Sequence, residues 1–437
     1  MPIWNVWRKK PIHQELPGLI IAIGNNPMSI SSDIIQRIDH AVDQDRLLET
    51  AVALMEVPSP TCDAAGVANR LSDLLTEEGF EVERPIADWP KAPAVVTRWH
   101  ARDDGPTLQF DGHLDTVHLP YTPPRIEQGV LSGQGAADMK AGVAAAIEAL
   151  RILRDTEVLE TGGILLTAHD HHEAPWGDSR QVYGLINAGY VGDAVLIPEY
   201  LADRIPIAGR GQAVLDIKIR REGERVHEVL RPSDQPDVIG AGAEVVRRLK
   251  AMNDELAKTT YPYAGPETVF IGQMHSGEIF NQSPVECRIE GTRRWVAGHD
   301  IKDVEGDFHE LLDAVAQETR TTIDRTFTMV RDGFQIDEGD PLVIALQSAH
   351  ETVTGRSLPL GGKPFVDDGN AFAAQGKVSA LAHGPAAEGA HTTNERVLIN
   401  ELVRVAKVYA LAAVYYCNGR LERNGDLVID AATRHRK

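Results

Sequence analysis

Short apolar segments and amphipathic helical segments alternate through the first half of the chain. AVVTRW, TLQFDGHLD, GGILLTA and DAVLIPE have the apolar runs typical of buried strands, and GVAAAIEALRIL has helical spacing of its apolar residues. Strands that alternate with helices form layered α/β domains in which helices cover a mainly parallel sheet. The sequence therefore predicts an α/β domain built around such a sheet.

The pattern changes after Glu199, where the strand candidates begin to alternate apolar and polar residues. GQAVLDIKIRREG is the clearest case and is typical of an antiparallel strand with one face in water. Candidates of this second kind continue to TIDRTFTMV, and LVIALQSAHETV then returns to the first pattern. We therefore predict one layered domain from residues 1–206 and 334–437, interrupted by a smaller α+β domain at 207–333.

Composition argues against several classes of protein. The net charge is −20, from 64 acidic and 44 basic residues, whereas nucleic acids and anionic membranes attract basic surfaces. Cys62, Cys287 and Cys417 form no C-x-x-C pair, so neither a disulfide framework nor a thiolate zinc site is indicated. We predict a cytoplasmic protein, in which the apolar run from Leu16 is a leader or an early strand.

The segment LQFDGHLDTV ends an apolar strand with a histidine and an aspartate two residues apart. His113 and Asp115 share one face, because side chains alternate with a period of two along extended chain. A metal-bound histidine needs its second ring nitrogen fixed by a carboxylate or a carbonyl, and H-x-D supplies this arrangement. Taken alone, the pair is also consistent with a surface histidine beside a capping aspartate.

Further titratable residues follow other strand candidates or lie in glycine-containing loops. Asp138 follows GQGAA, residues 169–173 read HDHHE after a strand, Glu199 follows VLIP, and His391 lies in the loop HGPAAEGAHTTNE. Ligand sites of mainly parallel sheets lie at the carboxyl ends of their strands. Imidazoles and carboxylates at one edge predict a divalent metal site, with zinc favoured and manganese or cobalt as alternatives.

Four motifs in this order resemble a known family. FDGHLDTV, GQGAADMKAG, IPE and GAHTTNE are similar to the metal-ligand motifs of the aminoacylase, acetylornithine deacetylase and carboxypeptidase G family of zinc-dependent amidohydrolases. The similarity covers nearly the whole chain from Ile34. It implies that His113, Asp138 and Glu199 hold one metal ion, that Asp138 and His391 hold a second, and that Asp115 orients His113.

The same resemblance identifies residues 207–333 as a lid and dimerisation domain, and it implies a homodimer. It implies that His227 reaches a neighbouring active site and stabilises the oxyanion that develops during hydrolysis. Asn281 and Arg294 match the substrate-binding pair of the family, with Arg293 as the competitor for Arg294.

One motif departs from the family pattern. Relatives usually carry D-E-E where this chain reads DHHE, so only Glu173 is a glutamate. We expect Glu173 to be the general base that takes the proton of water and returns it to the leaving nitrogen. His172 or His171 then completes the second metal site. Alternatively Glu173 is a ligand and a histidine is the base, or the enzyme binds a single ion.

The expected activity is metal-dependent hydrolysis of the C–N bond of a small N-acyl amino acid or dipeptide-like molecule. FVDDGN, residues 365–370, lacks the arginine that often follows the aspartate in relatives, which favours a specialised hydrolase over a broad peptidase. Action on an aromatic amine or another C–N bond is therefore the first alternative. A non-catalytic binding protein on the same fold is the second.

Overall fold

The structure is a computed structural model that describes residues 30–418. The predicted leader or early strand from Leu16 lies outside the described residues. The α-helices of the described part are α1 (Ser32–Ala41), α2 (Gln44–Met55), α3 (Ala65–Glu77), α4 (Lys140–Thr156), α5 (Arg180–Asn187), α6 (Val238–Leu256), α7 (Ile301–Thr319), α8 (Pro341–Thr354), α9 (Asp368–Ala371) and α10 (Ile399–Asn418). None of the helices in residues 30–418 has both the length and the apolar character needed to cross a membrane.

The strands are short at the periphery and longest in the two main sheets. They are β1 (Val82–Glu83), β2 (Val95–His100), β3 (Asp103–His113), β4 (Arg125–Glu127), β5 (Val130–Ser132), β6 (Thr161–His169), β7 (Ala194–Ile197), β8 (Ile205–Gly209), β9 (Gly211–Arg220), β10 (Val226–His227), β11 (Thr268–Ser276), β12 (Gln282–Ser283), β13 (Glu286–Trp295), β14 (Thr322–Arg331), β15 (Phe334–Gln335), β16 (Leu360–Lys363), β17 (Ser379–Ala382), β18 (Ala387–Glu388) and β19 (Arg396–Leu398).

The central sheet has six strands in the order β1–β2–β6–β3–β7–β17. Strands β6, β3, β7 and β17 are parallel, β2 pairs antiparallel with β6 at one side, and β1 pairs antiparallel with β2. Helices α4 and α10 pack against β3 on one face, and on the other face Leu185 of α5 packs with Val96 and Leu165. Because both faces are covered, β3 is buried from Leu108 to His113. The predicted fold class is confirmed.

Two glycines allow α4 to approach the sheet closely. A Cβ atom on Gly112 would lie 2.7 Å from Cγ2 of Val143, and one on Gly142 would lie 2.1 Å from the carbonyl oxygen of Pro198. Real Cβ atoms do not make such contacts, so larger residues would push the helix away. The start of α4 is thereby held between the ends of β3 and β7.

A group of ion pairs centred on the buried side chains of Glu148 and Arg151 joins α2 and α4 to the end of α3, and we call it the α2–α4 ion cluster. Arg46 contacts both oxygens of Glu148, with Nη2 2.7 Å from Oε1 and Nε 3.0 Å from Oε2. Arg151 places Nη1 3.3 Å from Glu148 Oε2 and Nε 2.7 Å from Glu78 Oε2. Each of these two glutamates therefore faces a guanidinium.

The lid is a four-stranded antiparallel sheet in the order β11–β13–β9–β14, with α6 and α7 on one face. Its core is separate from that of the central sheet and includes Leu215, Ile217, Val245 and Leu312. The chain enters the lid at Arg210, between β8 and β9, and leaves it after β14. The lid sheet spans residues 211–331, and the exact domain limits stay a prediction.

Candidate metal centre

Buried acidic and imidazole side chains meet at the carboxyl edge of the central sheet. His113, at the end of β3, has Nε2 3.0 Å from Asp138 Oδ1 and 3.6 Å from Glu199 Oε1. Its Nδ1 lies 2.9 Å from the backbone oxygen of Asp115 and donates to it, so Nε2 is the ring nitrogen directed at the two carboxylates. An imidazole fixed in this way is prepared to bind a cation through Nε2.

Asp138 reaches this position because two loops that are distant in sequence are hydrogen-bonded together. Strand β5 pairs with β19, so the loop before α4 lies beside the loop that contains His391. Oε2 of Glu395 accepts the backbone N–H groups of Gly135, Ala137 and Asp138 at 3.0, 3.0 and 3.1 Å. The carboxylate of Asp138 does not cap α4, whose N-cap is Met139 without a side-chain hydrogen bond, and so it faces the cluster.

A second pair of contacts lies on the other side of Asp138. Nε2 of His391 is 3.1 Å from Asp138 Oδ2 and 3.2 Å from Glu173 Oε2. Asp138 therefore directs one oxygen at His113 and the other at His391. We call the whole group the sheet-edge cluster: His113, Asp138, Glu173, Glu199 and His391.

The three residues His171, His172 and Glu173 point in different directions. His171 has a left-handed backbone (φ +70°), and its ring packs edge-on against Trp89, away from the cluster. The ring of His172 stacks on that of His113, with centroids 3.9 Å apart. Nδ1 of His172 is 2.6 Å from Oδ2 of Asp368, so only its Nε2 side faces the sheet-edge cluster.

Asp115 holds the turn that contains these residues. Its carboxylate accepts the backbone N–H groups of His172, at 3.1 and 3.2 Å, and of Glu173, at 3.1 Å. The same carboxylate is 3.7 Å from Nδ1 of His113, farther than the Asp115 backbone oxygen. Asp115 thus contacts His113 mainly through its carbonyl.

The electrostatics of the cluster show a shortage of positive charge. Burial, together with the nearby carboxylate of Asp138, raises the pKa of Glu199 to about 7. Oε2 of Glu199 is buried without a hydrogen-bond partner among the described residues. Hydrogen bonds to Asp138 and Glu173 raise the pKa of His391 to about 10. Three carboxylates and two imidazoles with an orphaned oxygen fit one or two divalent cations of the zinc, manganese or cobalt type.

Behind His172 lies a second group of buried charges that the sequence patterns do not predict. Nε2 of His169 is 3.3 Å from Asp111 Oδ2 and 3.4 Å from Asp368 Oδ2. Arg331 places Nη2 2.5 Å from the other oxygen of Asp368. The available signal was the alternation of polar residues 111, 113 and 115 at the end of an otherwise apolar strand. We call this group, Asp111, His169, Arg331 and Asp368, the Asp368 cluster.

The predicted lid residues lie apart from the sheet-edge cluster. His227 and Asn281 are exposed or half-buried neighbours, with Asn281 Nδ2 3.1 Å from His227 Nε2. Arg293 is buried and pairs with Glu267 at 2.5 Å, whereas Arg294 lies on the opposite face of β13. Within residues 30–418 no hydrogen bond or ion pair joins His227, Asn281 or Arg294 to the sheet-edge cluster.

Comparison with known proteins gives consistent results. The sequence model of peptidase family M20/M25/M40 matches residues 110–414. An N-formyl-4-amino-5-aminomethyl-2-methylpyrimidine deformylase of Bacillus subtilis is 23% identical, over 88% of this chain and 97% of that protein. A succinyl-diaminopimelate desuccinylase of Halorhodospira halophila is 26% identical, over 83% of this chain and 96% of that protein.

The fold is also shared with a solved structure. The aminopeptidase PepT of Bacillus cereus superimposes with a TM-score of 0.72 at 23% identity, covering 86% of this chain and 99% of that one. The family match covers more than half of the chain and contains His113, Asp138, Glu173, Glu199 and His391. The predictions of an amidohydrolase family and of a metal-dependent hydrolase are thereby confirmed: the chain belongs to peptidase family M20/M25/M40.

Proposed function

We propose that the protein hydrolyses the bond between an acyl group and the nitrogen of a small amine. The observation that carries this proposal is the position of Asp138, whose two oxygens face two separate imidazoles. The relatives named for removal of a formyl group and of a succinyl group support an N-acyl substrate. An N-acyl amino acid or dipeptide-like molecule is the main candidate. The likeness to a pyrimidine deformylase favours an acylated aromatic amine as the second.

The donor set suggests two cation sites that share Asp138. We assign His113, Asp138 and Glu199 to one site, and Asp138, Glu173 and His391 to the other. A divalent cation held there supplies Lewis-acid chemistry, activating water and polarising an acyl carbonyl. Zinc is the favoured ion because nitrogen and carboxylate oxygen are its usual ligands, with manganese and cobalt as alternatives.

The contacts favour the alternative assignment of Glu173 and His172. Glu173 touches the same nitrogen of His391 as Asp138 does, which suits a ligand. His172 donates Nδ1–H to Asp368 and therefore directs its other ring nitrogen, Nε2, towards the cluster, 3.8 Å from Glu199 Oε1. We assign to His172 the transfer of the water proton to the leaving nitrogen, as the C–O bond forms and the C–N bond breaks. Glu173 as base and His172 as ligand is the assignment that this one replaces.

We propose a homodimer formed through the lid. Four large apolar side chains flank His227 and Asn281, and their exposed fractions are 76% for Val229, 73% for Leu230, 55% for Ile279 and 99% for Phe280. Exposed apolar residues in such numbers are typical of a protein contact. In this arrangement His227 and Asn281 lie at the contact and act on the partner's substrate together with Arg294. A cytoplasmic location stays a prediction from the cysteine content.

A metal-reconstituted activity screen tests the proposed function. Metal-free protein is loaded with zinc, manganese or cobalt and given N-formyl, N-acetyl and N-succinyl amino acids, dipeptides and N-formyl aromatic amines, and the release of amine is measured. We expect no turnover without metal, and faster turnover of acylated amines than of dipeptides. Fully loaded protein that hydrolyses no member of this panel would contradict the proposal.

Metal content separates the two assignments of the DHHE segment. We expect Glu173→Gln to bind about one equivalent of metal fewer than the unaltered protein. We expect His172→Gln to keep its metal while kcat falls about 10²- to 10⁴-fold, the usual contribution of a proton-transfer group. His171→Gln is the matched control, because His171 lies outside the cluster. Loss of metal from His172→Gln would make His172 a ligand instead.

A further inference from the structure

The carboxylate of Asp368 is shared between the candidate base and the lid. Its Oδ2 is 2.6 Å from Nδ1 of His172, and its Oδ1 is 2.5 Å from Nη2 of Arg331. Arg331 is the last residue of β14, the strand from which the chain leaves the lid. Both Asp368 and Arg331 are at most 1% exposed, so water does not compete for these bonds.

The proton positions in this group follow from what each atom faces. His169 has Nδ1 3.1 Å from the backbone oxygen of Asp170 and Nε2 between carboxylate oxygens of Asp111 and Asp368. Both nitrogens face only acceptors, so both carry protons and the ring is cationic. With Arg331, two cations then balance two carboxylates.

This balance leaves His172 with a defined tautomer. Asp368 is held as an anion and can only accept, so Nδ1 of His172 carries a proton and Nε2 is the nitrogen directed at the sheet-edge cluster. The cationic His169 and Arg331 cannot accept a proton from His172. Asp368 thus determines both the orientation and the tautomer of His172.

The segment that contains Asp368 is hydrogen-bonded to both places where the chain passes between the central-sheet domain and the lid, and we call these places the lid crossings. Asn370 donates from Nδ2 to the backbone oxygen of Asp332, at 2.7 Å, and to that of Arg210, at 3.5 Å. Arg210 lies where the chain enters the lid, and Asp332 lies where it leaves. A displacement of the lid about these crossings therefore acts on the segment that carries Asp368.

We propose that Asp368 and Arg331 are positioning residues for His172 and connect the arrangement of the lid crossings to the orientation of that imidazole. The proposal rests on the proposed function, in which His172 transfers the proton. The Asp368 cluster is not a further metal site, because each carboxylate oxygen of Asp111 and Asp368 already faces a donor from Thr167, His169, His172 or Arg331.

Steady-state kinetics of Asp368 and Arg331 variants of the holoenzyme tests the proposal. The substrate is the acylated amine of the panel above that is turned over fastest. We expect Asp368→Asn to lower kcat about 10²- to 10⁴-fold, as for an aspartate that fixes a histidine tautomer, and Arg331→Met to lower it about 10- to 100-fold. KM and metal content should stay unchanged, and Arg331→Lys should recover part of kcat.

Arg151 of the α2–α4 ion cluster offers the matched control, since it is also 1% exposed and bound to two carboxylates. We expect Arg151→Met to unfold at a lower temperature but to keep kcat per folded molecule. If Arg331→Met does not fold, Arg331→Lys and Arg151→Lys make the same comparison. Equal kcat in Arg331→Lys and Arg151→Lys, or unchanged kcat in Asp368→Asn, overturns the proposal.

A measurement without turnover separates this proposal from the proposed function. A histidine-selective ¹⁵N NMR spectrum of zinc-loaded protein without substrate reports the tautomer of His172, whose signals are identified by their absence in His172→Gln. We expect the proton on Nδ1 in the unaltered protein and a mixture of tautomers in Asp368→Asn. If His172→Gln remains fully active, the proton-transfer role is wrong even where the spectrum shows this dependence on Asp368. If the spectrum shows none, the positioning role is wrong.

Discussion

The α2–α4 ion cluster and the sheet-edge cluster both bury carboxylates, but only the first provides a guanidinium for each of them. Glu148 and Glu78 contact Arg46 and Arg151 at 2.7–3.3 Å. In the sheet-edge cluster, three carboxylates share two imidazoles, and Glu199 has an oxygen with no partner in the described part of the chain.

The supply of counter-charge distinguishes a structural charge cluster from a functional one in this fold. Breaking a buried ion pair leaves an uncompensated charge and costs stability. A cluster that already lacks a counter-charge is less stable than it would be with neutral side chains, and it is retained for what it binds. The comparison therefore predicts opposite responses of the two clusters to the same chemical change.

Removal of metal should have the largest effect. Chelation is expected to abolish turnover and to lower the unfolding temperature, because ions bound only by the folded state stabilise it by about 2.7 kcal/mol at a concentration of 100 Kd. Differential scanning fluorimetry of chelated and zinc-loaded protein measures the shift. An unfolding temperature that does not depend on metal would remove the distinction between the two clusters.

Glu148→Gln should have the next largest effect. The substitution leaves Arg151 buried beside a neutral group and is expected to cost about 3 kcal/mol in the free energy of unfolding. Denaturant unfolding measures this cost, and kcat per folded molecule should be unchanged because α2 and α4 meet away from the sheet edge. A fall in kcat with unchanged stability would contradict the structural role.

Glu199→Gln should change stability in the opposite direction. In metal-free protein it removes a buried carboxylate that faces Asp138, so the unfolding temperature is expected to rise by about 1–3 °C. With zinc present, Glu199→Gln should be less stable than the unaltered protein, because a metal ligand is lost. Thermal unfolding in both states is the test. Destabilisation in both states would show that Glu199 already has adequate partners.

The smallest effect is expected in the lid. Asp216 and Arg288 form an ion pair at 3.0 Å on the open face of the lid sheet. Exposed pairs gain little because water screens them. Asp216→Asn should leave the unfolding temperature, the metal content and kcat unchanged within error. A clear loss would mean that the open face is covered in solution, as a contact with a second copy would do.

The sequence predicted the place of the metal cluster better than the roles within it. His113 and Glu199 follow apolar strands, and Asp138 precedes a helix, so periodicity and the rule for parallel sheets were enough to bring them together. The roles of His172 and Glu173 were not accessible in the same way. The left-handed backbone at His171 ends the alternation of side chains, and the directions of the next two residues depend on Asp115.

The Asp368 cluster shows a different limit. Asp368 and Arg331 lie 37 residues apart and on different domains, and their pairing depends on where the chain crosses from the lid. No local pattern connects them. The polar residues on β3 showed that its end was unusual, but the identity of their partners required the register between β3 and β6, in which His113 lies opposite His169.

The hydrogen bonds from Glu395 to the loop before α4 limit the order in which the parts of this protein can fold during synthesis. The lid strands are contiguous, so that domain can become native while the C-terminal segment is still being translated. The central sheet must wait, because β17 covers the edge of β7 and comes after residue 378. Asp138 is fixed only when Glu395 leaves the ribosome. The nascent chain therefore passes through a stage in which the lid is folded and the edge of β7 is unpaired. At this stage the chain exposes a strand edge that a chaperone can bind.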